Sequence, residues 1–160
     1  MRQADSDQLE TINADLVEVT RLVGSAMNRA TQALLDADLQ LAEAVIDFDA
    51  KVDILTASIE DRCFELVALK TSSGADLRSI LGSMKMSSSL ERMGDLAEHV
   101  AKQARMRHPK VAVPQAVRGT FAEMGGLAEA IVNKTGAVIA TKDVSMCADI
   151  ARHDEDMDRL

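Results

Sequence analysis

Tryptophan and tyrosine are missing from this chain, and three phenylalanines are its only aromatic side chains. A core must therefore be built from Leu, Ile, Val, Ala and nine Met, a set that suits helix against helix better than sheet against sheet. Strand signals are scarce as well. No Asn-Gly or Asp-Gly pair marks a hairpin turn, and no long alternating run is bounded by turns. Basic excess is lacking: the net charge of −8 argues against general binding to DNA or RNA. No apolar run approaches the ~20 residues of a membrane span. The opening MRQADSDQLE has no apolar centre of the kind a signal peptide needs. The two cysteines, Cys63 and Cys147, have no CxxC spacing and are expected to be reduced thiols in the core. These absences point to a cytoplasmic protein that neither inserts into a membrane nor binds nucleic acid. What is present is a hydrophobic fraction of 47% over 160 residues, enough for one large or two small domains.

The apolar residues recur at helical spacing. Leu9, Ile12, Leu16, Val19, Val23, Ala26, Ala30 and Ala33 form one face of a first helix that Asp5 or Ser6 would cap. After a break at Asp36 and Ala37, Asp38 caps a second helix. There Val45, Val52, Ile59 and Leu66 recur every seven residues, with Phe48, Leu55 and Leu69 between them. Such a seam predicts a long antiparallel hairpin of helices. A turn is expected at 71–74, with Ser73 and Asp76 resembling a capping box. A third helix carries Leu77, Ile80, Leu81 and Met84, then Leu90, Met93, Ala97, Val100 and Ala104, and ends before Pro109. Pro114 suits the first position of a fourth helix, whose Gly125-Gly126 pair invites a kink. Asp143 would cap a fifth helix. An internal repeat supports this division. With Asn28 laid on Asn133, Leu16 falls on Phe121, Leu22 on Leu127, Asp38 on Asp143 and Asp53 on Asp158. The expected architecture is all-α: a three-helix bundle over 1–108, a linker at 109–113, and a second helical repeat over 114–160 that stops before its third helix.

One motif carries chemistry. Glu91 and Asp95 are four residues apart, so both carboxylates leave one helical face. Like charges at that spacing repel, and a cation between them would remove the cost. Carboxylates are hard oxygen donors suited to Mg, Mn, Ca or iron. Asp49 and Asp53 repeat the spacing beside the heptad seam, and His99 stands a turn beyond Asp95 as a possible nitrogen ligand. Gly94 costs about 1 kcal/mol of helix stability against Ala, and close approach of a neighbour or an ion would explain it. The same spacing also serves a solvated face on which Glu91, Arg92, Asp95, Glu98 and Lys102 exchange ion pairs. The basic run from Lys102 to Lys110, with Arg105 and Arg107, has two readings as well: balance of the helix macrodipole, or a docking patch for an acidic partner. His108 and His153 read as exposed polar residues, and the methionines as core filling. No nucleophile with a paired base, no glycine-rich phosphate loop and no zinc signature is present, so no enzymatic activity is expected.

Asp76-Leu77-Arg78 followed by Leu90-Glu91-Arg92-Met93-Gly94-Asp95, with Asp49-Ala50-Lys51-Val52-Asp53 upstream, resembles the signature of the PhoU family, and the resemblance extends over essentially the whole chain. It implies two tandem three-helix bundles carrying acid-x-x-x-Asp motifs that bind iron, zinc, manganese or magnesium on the bundle surface. It also implies a negative regulator of phosphate uptake and homeostasis, linking the phosphate transporter ATPase to a membrane sensor histidine kinase. By that resemblance Glu91 and Asp95 are metal ligands, Asp49 and Asp53 are further candidates, and Asp76 and Arg78 belong to the signature, either as a ligand or partner contact or with a role in structure. Ser89 stands where the family often has an acid, which removes one ligand. Two other classes compete: a ferritin-like metal store, which usually wants Glu-x-x-His pairs that this chain lacks, and a plain helical dimerisation scaffold. A homodimer is expected through an open face of Val117, Phe121, Met124, Leu127, Ile131 and Val138. The alternative is that the fourth and fifth helices fold back on the first bundle.

Overall fold

Helical spacing of small and branched aliphatic residues becomes helix throughout the computed structural model, which describes residues 3–68 and 74–160. The elements are α1 (Gln3–Asp36), α2 (Leu39–Ala68), α3 (Gly74–Arg107), α4 (Arg118–Thr141) and α5 (Cys147–Asp158). Short 3-10 turns at Gln115–Val117 and Val144–Met146 precede α4 and α5. No strand occurs among the described residues, and no helix among them is long and apolar enough to cross a membrane.

The face of α1 is as the spacing predicts: Ile12, Leu16, Val19, Val23, Ala26, Ala30 and Ala33 are all buried. Asp5 and Ser6, expected at its start, lie inside the helix, which already includes Gln3. Ala37 closes α1 in the left-handed region, at φ 53, a place usually taken by glycine. Asp38 then accepts a hydrogen bond from the Leu41 N–H at 3.0 Å and caps α2.

The seam Val45, Val52, Ile59 and Leu66 is buried between α1 and α3. Leu69, the turn at 71–74 and the Ser73 cap fall largely on 69–73, outside the described residues. On α3 the core line runs through Ile80, Ser83, Ser87, Leu90, Ala97, Ala101 and Ala104. Leu77 and Leu81 depart from expectation and face solvent, because Ile80 alone of that cluster lies on the buried line. One half of the core is rich in Leu, Ile and Val; the other is rich in Ala and lies beneath the α1–α2 turn.

The fourth helix lies antiparallel along α1. Glycine lets it come close: a Cβ on Gly136 would stand 2.2 Å from Thr20 Oγ1, and one on Gly125 would stand 2.4 Å from Thr31 Oγ1. Gly125 is thus a notch for Thr31, in a helix that runs unbroken through it. The buried face of α4 is Gly125, Val132, Gly136 and Ile139, and α5 packs on α4. Folding back onto the first bundle is therefore the arrangement α4 takes. Pro114 caps the 3-10 turn, and α4 itself starts at Arg118. Asp143 accepts from the Ser145 N–H at 3.0 Å and caps the second 3-10 turn, so α5 starts at Cys147. Cys63 is a buried free thiol; Cys147, at the exposed start of α5, is free but not a core residue.

Candidate metal centre

The seam between α2 and α3 fixes which side chains meet at its edge. Ser87 Oγ donates to the Thr56 carbonyl at 3.3 Å, and Val52 packs against Gly94. In that antiparallel register the residues flanking the seam on α2 are Asp49, Asp53 and Glu60, and those on α3 are Glu91, Asp95 and Glu98. A Cβ on Gly94 would lie 3.2 Å from Val52 Cγ1 and 3.3 Å from Asp49 Oδ1. The glycine leaves room for the Asp49 carboxylate to lean over α3, so the close approach that its cost implies comes from Val52 and Asp49.

Asp49, Asp53 and Asp95 each place one oxygen within 4.8 Å of the others. Asp49 is partly buried, while Asp53 and Asp95 are exposed. Burial, followed by the charges of Asp53, Glu98 and Asp95, pushes the Asp49 carboxyl up to about 6, against the pull of Lys102. Glu91 is also raised, by burial first and then by Asp53, Glu60 and Asp95. Three hard donors gathered at an energetic cost fit a divalent or ferrous ion. Bonds of about 2.0–2.5 Å let one ion span oxygens roughly 4–5 Å apart across it. The exposed side leaves space for water or a further donor.

The structure sorts the sequence candidates. Asp49, Asp53 and Asp95 form the cluster; Glu91 is close enough to feel two of them. His99 is exposed and stands outside the three-carboxylate group. Asp76 sits in the first turn of α3, where an acid complements the dipole, and Arg78 is exposed beside it. Thirteen residues separate Arg78 from Glu91, about 20 Å of helix, so neither signature residue reaches the carboxylates. Arg105 and Arg107 occupy the last turn of α3 and are exposed. Lys102 belongs to the acidic site, ion-paired with Glu98. Ser89 donates to the Lys85 carbonyl of its own helix at 2.9 Å, so its hydroxyl is occupied locally. Glu60 was not singled out from the sequence, and its charge reaches Glu91. Its signal was present in the heptad: it follows Asp53 by seven residues, as Glu98 follows Glu91.

Comparison with known proteins agrees with the motif. The family profile described as "PhoU domain" matches residues 16–104. The phosphate-specific transport system accessory protein PhoU homolog 2 of Mycobacterium tuberculosis is 45% identical over 160 residues, covering 100% of this chain and 75% of the relative. Homolog 1 of Mycobacterium leprae is 43% identical, covering 100% and 72%. Among solved structures, PhoU from Pseudomonas aeruginosa superposes with a TM-score of 0.86 at 26% identity, over 96% of this chain and 73% of that one. The phosphate transport system regulatory protein PhoU from Streptococcus pneumoniae gives 0.83 at 25%, over 97% and 72%.

Proposed function

The chain belongs to the PhoU family, and from that premise we propose that it is a cytoplasmic, non-catalytic adaptor that restrains phosphate uptake and phosphate-responsive signalling. It acts through protein contacts with the phosphate transporter ATPase, with a membrane sensor histidine kinase, or with both. The relatives' shared description as accessory proteins of phosphate-specific transport supports the process. The observation that carries the chemistry is the Asp49–Asp53–Asp95 cluster, set on an outer face of the bundle. There an Fe, Zn, Mn or Mg ion would be held, with Glu91 as the next donor. Such an ion would neutralise the repulsion among acids and tie α2 to α3.

The test has two arms. In cells lacking this protein, phosphate-starvation genes should be expressed even when phosphate is plentiful, and the wild-type chain should silence them again. Purified chain stripped with chelator should bind one of these metals by calorimetry. Glu91→Gln with Asp95→Asn should lower that affinity at least tenfold while helicity persists. Unchanged stoichiometry and affinity in that variant would remove the metal reading. Full silencing by the same variant would separate metal from regulation.

A further inference from the structure

The face that carries the acids changes character toward Ala68 and Gly74. On α2, Asp53, Glu60 and Val67 follow at intervals of seven, with Phe64 one turn after Glu60. On α3, Leu77, Met84 and Glu91 follow at the same interval, and Leu81 lies two heptads before Asp95. Residues seven apart share a helical face. The carboxylate strip at one end thus becomes an apolar strip at the other. Thr56 opposite Ser87 sets the register, and eight residues further along each helix Phe64 comes level with the turn between Leu77 and Leu81. These side chains are open to solvent: Phe64 by 59%, Leu81 by 50%, Val67 and Leu77 by 40% each. A shallow cavity of about 650 Å³ opens on the α3 side of this strip, lined by Leu77, Arg78, Leu81, Met84 and Lys85 with two glycines and by no described residue of α2.

Single exposed leucines need no explanation, whereas a contiguous patch marks a contact. Charge says what kind. Arg78, Lys85 and Arg92 recur every seven residues along the outer edge of α3, all exposed. None of the three forms an ion pair among the described residues. In a molecule of net charge −8 this is a local cationic row about 20 Å long, parallel to the apolar strip. Leu77, Leu81 and Met84, spaced by four and three, beside charges that repeat at seven, match a second helix laid along α3.

We propose that this end of the α2/α3 face docks an amphipathic helix of a partner protein. Its apolar side lies on Phe64, Leu77 and Leu81, and its acidic flank lies along Arg78, Lys85 and Arg92. The proposal rests on the adaptor reading above and names the surface and the kind of partner segment. It does not depend on the metal.

A synthetic 18-residue helix with leucines at heptad positions and glutamates on the flanks is the probe, with a lysine-flanked twin as control. Binding to the full chain is read by fluorescence anisotropy. The glutamate peptide should bind at least tenfold tighter than its twin, and more weakly as salt rises. Leu81→Ser should cost at least tenfold. Arg78→Glu with Lys85→Glu should invert the preference, so that the lysine peptide binds better. Helicity and metal affinity should stay as in the wild type, which keeps this test separate from that of the metal site. No preference between the peptides, or binding indifferent to Leu81→Ser, would overturn the proposal. So would a concentration-dependent dimer that Leu81→Ser dissolves, since the occupant would then be a second copy of this chain.

Discussion

Replacing Asp49 by Asn should make the metal-free protein more stable and the metal-loaded protein less so. The carboxyl of Asp49 is displaced from the ordinary 3.8 to about 6, so the folded chain holds that proton more tightly than the unfolded chain does. Its stabilising effect is fully present below 3.8 and is lost as pH rises through about 6. At pH 7.5 the ionised Asp49 is therefore a burden on the fold. Unscreened, the displacement would correspond to about 3 kcal/mol; the group is partly open to water, so about 1 kcal/mol is the expected size. Asn keeps the shape and removes the charge. In chelator at pH 7.5, urea unfolding should show the variant more stable by about 1 kcal/mol, or roughly 2–4 °C in Tm. At pH 5 the difference should shrink, because wild-type Asp49 is then protonated when folded. With saturating metal the order should reverse, because the wild type gains more binding free energy. A variant no more stable than wild type in chelator, with the same metal response, would refute the reasoning and leave a solvated acidic face.

Other substitutions test neighbouring parts of the argument. Gly94→Ala should gain helix propensity yet press on Val52 and Asp49, so stability should move by less than about 1 kcal/mol while calorimetry shows metal affinity falling severalfold. Gly125→Ala drives a methyl into Thr31 and should cost about 1–3 kcal/mol in urea unfolding through the α1–α4 contact. Ala37→Gly relieves the left-handed residue that closes α1 and should raise stability by about 0.5–1 kcal/mol, read as a higher urea midpoint.

The helices were legible because their periodicity is written in aliphatic residues. The seam of Val45, Val52, Ile59 and Leu66 is buried as the heptad requires, and Asp38 caps α2 as its side chain allows. Packing between elements was harder to read. Gly125 looked like a weak point of its helix, yet it is the notch that receives Thr31. That use depends on a residue ninety-four positions away, which no local pattern can announce. Leu77 and Leu81 were counted with the core by residue type, and their exposure follows from a helical phase that Ile80 decides. At the site, the four-residue spacing of Asp49 with Asp53 and of Glu91 with Asp95 placed each pair on a face. Only the antiparallel register of α2 on α3 brings Asp49, Asp53 and Asp95 within 4.8 Å. His99 was proposed from its place one turn beyond Asp95, and it stands outside that group.

The most direct test of the central claim is to locate the ion. Crystals of the full chain soaked in Mn²⁺ would be measured for anomalous scattering from the metal. The account predicts a peak at the α2/α3 edge, about 2.0–2.5 Å from oxygens of Asp49, Asp53 and Asp95, and its loss in crystals of Asp49→Asn. No peak at those carboxylates in the wild-type crystals, or a peak that persists there in the variant, would contradict it.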